Sequence, residues 1–90
     1  MAKVLLVDDN ADIRSVLQIM FEGARDEVLV AADGLEALNR LSETVDLLVT
    51  DIHMSNLNGV ELILKVKERN PGIPIIALSR AGPVSGSPNT

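Results

Sequence analysis

Apolar residues in this chain fall into short unbroken blocks, separated by stretches where they recur every three or four positions. "KVLLV" (Lys3–Val7) is a continuous run of leucine and β-branched side chains. A run of that kind predicts a strand buried on both faces, as in a parallel sheet. Ile13, Val16, Leu17, Met20 and Phe21 then follow at helical spacing. Asn10 is placed to cap that helix, Asp12 suits its first turn, and Gly23 is placed to end it. "EVLVAA" (Glu27–Ala32) predicts a second strand. In "DGLEALNRL" (Asp33–Leu41), Asp33 reads as the cap, Glu36 stands at the capping-box position, and Leu35, Leu38 and Leu41 form an apolar stripe. "DLLVTD" (Asp46–Asp51) predicts a third buried strand. Asn58 caps a third helix, with Glu61 and Lys65 at a favourable four-residue spacing, and "NPG" (Asn70–Gly72) stops it. "IPIIALS" (Ile73–Ser79) predicts a fourth buried strand.

The order β-α-β-α-β-α-β implies a three-layer α/β domain, with a parallel sheet between helices joined by right-handed crossovers. The segment 80–90, rich in Gly, Pro and Ser and without periodicity, reads as a flexible tail following a domain of residues 1–79. With 90 residues and a single aromatic, Phe21, the core must be built from Leu, Val, Ile and Ala. The absence of cysteine excludes disulfides and thiolate metal sites. The net charge of -5, without a basic patch, argues against nucleic-acid binding. No apolar run is long enough to span a bilayer, and no signal-peptide pattern opens the chain, so a soluble cytoplasmic protein is expected.

Charge placement changes the picture. In an open parallel α/β sheet, ligands bind beyond the carboxyl ends of the strands. Asp8 and Asp9 follow the first strand, Asp51 ends the third and Ser79 ends the fourth. Three carboxylates brought to one end of a sheet repel each other unless a cation sits among them. An oxygen-only donor set favours Mg²⁺. Asp51 is then either a further ligand or a nucleophile toward a phosphoryl group, which the Ser79 hydroxyl could also contact. His53 reads as an exposed loop residue rather than an imidazole ligand. Met20 and Met54 read as packing residues, the Lys65, Lys67 and Arg69 group as a solvated helix face, and Gly59 as easing a turn.

"VLLVDDN" (Val4–Asn10), "DLLVTDIHMSNLNG" (Asp46–Gly59) and "IPIIALS" together resemble a response regulator receiver domain, the CheY-like module of two-component signalling. The resemblance covers about residues 2–79. It implies a flavodoxin-like sheet of order 2-1-3-4 and phosphorylation of Asp51 by a sensor histidine kinase or a phosphotransfer protein. It also implies Mg²⁺ shared by Asp8, Asp9, Asp51 and the His53 backbone carbonyl, with Ser79 as the switch hydroxyl. The family's fifth strand, last helices and Lys-Pro pair have no counterpart here, Ser55 replaces a proline, and Arg80 replaces a small residue, where it either crowds the pocket or partly substitutes for the lysine. The chain is therefore read as a C-terminally truncated or degenerate receiver that is no enzyme beyond self-phosphotransfer and autodephosphorylation. The alternative is a non-phosphorylated, receiver-shaped interaction module. An aspartyl phosphohydrolase is disfavoured, because "DDNAD" does not match Asp-x-Asp. With no fifth strand, the fourth strand is an apolar edge, and a homodimer is expected.

Overall fold

A computed structural model of the chain describes residues 1–54, 56–79 and 82–83. Its elements are β1 (Lys3–Val7), α1 (Ala11–Gly23), β2 (Glu27–Ala31), α2 (Gly34–Arg40), β3 (Leu47–Asp51), α3 (Gly59–Arg69), β4 (Ile75–Ser79) and β5 (Gly82–Pro83). The four longer strands are parallel and stand in the expected order, with β5 added at the edge: β2-β1-β3-β4-β5. β4 begins at Ile75 rather than Ile73. Pro74 has no N–H to give the ladder, although its carbonyl accepts the Leu48 amide. Ile73 is instead buried in the core beneath the sheet.

The sheet separates two apolar clusters. On one face, Leu5, Val7 and Leu48 meet Ala37 of α2 and Leu62 and Val66 of α3. On the other, Val4, Leu6 and Val49 meet Leu17 and Phe21 of α1. Each helix begins where the sequence predicts. Asn10 Oδ1 accepts from the Asp12 and Ile13 amides, Asp33 Oδ1 from Glu36, and Asn58 Oδ1 from Glu61. These side chains satisfy amides that a helix start leaves without partners.

Several expectations are corrected. No residue of α1 is buried: its stripe packs only through Leu17 and Phe21, while exposure runs from 45% at Ile13 to 70% at Ile19, with Val16 and Met20 between. Among the described residues α1 is the one helix on its face of the sheet, so nothing described packs against the side of it that turns away from the sheet. Met20 is thus no packing residue, whereas Met54 does pack against the core. In α2 the sheet contact falls on Ala37, which leaves Leu35 exposed. The left-handed residue after α1 is Arg25 (φ 66°), not Gly23. Among the described residues the one ion pair joins Arg40 to Glu36, and Glu61–Lys65 forms none. Within 80–90, Gly82 and Pro83 form β5, antiparallel to Leu78 and Ser79, so β4 is paired at its carboxyl end. Arg80 and Ser55 lie outside the described residues, as does the rest of that segment. Among the described residues no helix is long and apolar enough to cross a membrane.

Candidate functional site

The carboxyl ends of β1 and β3 lie side by side, with Val7 in register with Thr50. That pairing carries the residues just beyond them to one place. Asp8, Asp9 and Asp51 each present a carboxylate oxygen, and the three oxygens lie within 4.8 Å of one another. These are the three acids that the sequence places at one end of the sheet, and adjacent parallel strands with buried faces leave only one register to bring them together.

The acids differ in their surroundings. Asp8 is 5% exposed, half-exposed Asp51 closes the strand, and Asp9 faces solvent. Burial pushes the Asp8 carboxyl above its ordinary value, and the charges of Asp51 and Asp9 push it further. The Asn10 amide and the Arg14 guanidinium oppose this. The Asn10 N–H donates to Asp8 Oδ1 at 2.8 Å, and Arg14 Nη1 donates to the Asp8 carbonyl at 2.6 Å. Arg14 was not singled out from the sequence. One arginine on an exposed helix carries no local signal that it turns back onto a strand end.

His53 is exposed, and its amide donates to Asp51 Oδ1 at 3.2 Å. Ser79 is the last residue of β4, one beyond Leu78, which pairs with Asp51. Its backbone therefore stands at the same end of the sheet as the three acids. Beside them a cavity of about 440 Å³ is lined by Asp9, Ile52, His53, Met54, Asn58 and Val60.

Gly59 serves a purpose other than the expected easing of a turn. A Cβ there would lie 2.6 Å from the Ile52 Cα and against the Asp51 carbonyl oxygen. Only glycine lets α3 start so close to the end of β3, and its amide closes the loop onto the Ile52 carbonyl at 2.9 Å.

Three carboxylates, one of them buried and destabilised as an anion, make a donor set for a hard cation. Among the described residues no sulfur or imidazole ligand joins the three acids, and their oxygen donors fit Mg²⁺ better than Zn²⁺ or copper.

Comparison with known proteins gives this geometry a context. The family model described as the response regulator receiver domain matches residues 4–85. Transcriptional regulatory protein CpxR of Escherichia coli (strain K12) is 38% identical over 82 residues, which are 91% of this chain and 35% of CpxR. The chain spans about a third of the length of such relatives. Among solved structures, Vibrio cholerae chemotaxis protein CheY4 superimposes with a TM-score of 0.84 at 34% identity, covering 98% of this chain and 72% of CheY4. Thermotoga maritima TrrA, solved in complex with Mg(2+)-BeF, superimposes with a TM-score of 0.82 at 31% identity, covering 88% and 70%. TrrA has also been solved in complex with the histidine kinase ThkA. With its sheet order, its acidic strand ends and the family match agreeing, this chain belongs to the response regulator receiver domains of two-component signalling.

Proposed function

We propose that this domain takes a phosphoryl group onto Asp51 in a Mg²⁺-dependent reaction. The donor is a phosphohistidine on a sensor histidine kinase or a phosphotransfer protein. An Asp51 carboxylate oxygen attacks phosphorus, the P–N bond breaks with its electron pair passing to nitrogen, and the ring, already protonated on its other nitrogen, leaves as neutral imidazole. Asp8, Asp9, Asp51 and the His53 backbone carbonyl would hold the cation, which would supply charge neutralisation for the transferred group. Ser79, at the adjacent strand end, contacts a phosphoryl oxygen. The observation that carries this reading is the approach of three carboxylate oxygens to within 4.8 Å. The Mg(2+)-BeF and kinase complexes of TrrA support it. The domain is then a phosphoacceptor in the cytoplasm, with no catalysis beyond self-phosphotransfer and autodephosphorylation.

Incubation with acetyl phosphate and Mg²⁺, followed by intact mass, tests the proposal. One phosphoryl group should be gained. EDTA or Asp51→Asn should abolish the gain. Labelling that persists in Asp51→Asn would refute the assignment.

A second reading has its own observation. The exposed apolar side chains of α1 favour a receiver-shaped module that works by pairing with a second copy of itself. In that case assembly would not depend on Asp51.

A further inference from the structure

The loop between β3 and α3 carries His53 and is held at its far side by a different part of the fold. Asn56 and Leu57 both adopt left-handed backbone conformations, φ 49° and 55°. Leucine rarely does so, and such a conformation persists only where the surroundings impose it. Two contacts are there to impose it. Asn56 Nδ2 donates to Asp33 Oδ2 at 3.2 Å. Leu57 lies on Gly34, so closely that a Cβ on Gly34 would stand 2.9 Å from the Leu57 Cβ and against the Leu57 carbonyl oxygen.

Asp33 uses its two oxygens separately: Oδ1 caps α2 through the Glu36 amide at 2.8 Å, and Oδ2 takes the loop. The end of β2 that leads into Asp33 is itself fixed beside the acidic pair, since Ala31 pairs with Val7 and its carbonyl accepts the Asp8 amide at 3.1 Å. A short path therefore runs from the end of β1, just before Asp8, through Asp33, to the loop that follows Asp51.

We infer that Asp33 and Asn56 form a positioning pair, which ties the loop after Asp51 to the start of α2 and so sets the geometry at which His53 and the three acids meet a cation. The inference rests on the Mg²⁺ reading above. The hydrogen bonds of both side chains go to each other and to the start of α2. The pair acts through the loop, whose His53 amide bonds Asp51 Oδ1 and whose Gly59 amide bonds the Ile52 carbonyl.

A double-mutant cycle separates this from a merely structural role. Asn56→Gly removes the side chain and relieves the left-handed backbone. Asp33→Ser keeps an equally good helix cap but is too short to reach Asn56. Each single variant should weaken Mg²⁺ binding by about three- to tenfold and slow Asp51 labelling, as expected for loss of one partly exposed charged hydrogen bond. The double variant should be no worse than the more affected single one. Melting temperatures should stay close to the parent's. Amide hydrogen exchange in the metal-free proteins should quicken at His53 and Gly59 but not inside α3.

Additive losses, or Mg²⁺ affinities equal to the parent's, would overturn the pair. If the parent itself binds no Mg²⁺, the phosphoacceptor reading fails instead. The exchange rates then decide the tie alone: unchanged protection at His53 and Gly59 disproves it.

Discussion

At the scale of single residues, the three acids are placed against their own electrostatic preference. Asp8 is buried and held above its ordinary value of 3.8, first by burial and then by the charges of Asp51 and Asp9. Between 3.8 and that raised value the folded protein binds more protons than the unfolded chain. The stability Asp8 contributes is therefore complete below 3.8 and is lost as pH rises through the folded-state value. At neutral pH the metal-free protein carries that cost, and a bound cation removes it. Thermal melts should show Mg²⁺ raising the melting temperature, with stabilisation of about 2.7 kcal/mol once free Mg²⁺ reaches a hundred times its dissociation constant. Asp9→Ala should abolish this response and raise the melting temperature of the metal-free protein. An Asp9→Ala variant that still responds to Mg²⁺ as the parent does would remove Asp9 from the ligand set.

At the scale of elements, helix starts do more than begin helices. Asn10 and Asp33 each follow a strand end closely and cap the next helix, whereas Asn58 caps α3 at the far end of a longer connection from Asp51. The connection from β3 into α3 is the longest of the three, yet it folds back so that Gly59 sits against the backbone of Asp51 and Ile52. Backbone atoms cannot yield as a flexible side chain would. Gly59→Ala should therefore cost roughly 1–3 kcal/mol in urea unfolding, the usual range for a forced side chain in a packed site. It should also displace Asp51, reducing Mg²⁺ affinity along with stability. A Gly59→Ala protein as stable as the parent would mean that α3 can pivot freely. The caps themselves were legible in the sequence, since each needs only an Asn or Asp before an apolar period. The fit of Gly59 was not, because the atoms it must avoid belong to another element.

For the whole molecule, the two faces of the sheet are unequally covered. Among the described residues α2 and α3 share one face, while α1 alone covers part of the other and leaves Ile13, Val16, Ile19 and Met20 exposed, together with Ile76 of β4. β5 pairs only with Leu78 and Ser79, so among the described residues the outer edge of Ile75, Ile76 and Ala77 has no partner strand. An apolar face beside an open strand edge suits a two-fold contact with a second copy. Sedimentation at micromolar concentration should report a dimer, and an Ile76→Lys charge on the bare face should shift it toward monomer without unfolding it. A folded monomer whose melting is independent of concentration would contradict this.

The sequence by itself determined the alternation of strands and helices and the caps, because each rests on residues a few positions apart, while the sheet order followed from the resemblance to receiver domains. From those it also placed Asp8, Asp9 and Asp51 at one end of the sheet. Tertiary structure alone decided how near they come, that Asp8 is the buried member, and that Arg14 turns back onto its carbonyl. It alone joined Asn56 to Asp33, 23 positions apart, and left the apolar side of α1 bare. A hydrophobic period states that a helix has an apolar face. Whether that face is covered depends on what packs beside it, and a contact between distant side chains depends on register and loop path together, which no local pattern records.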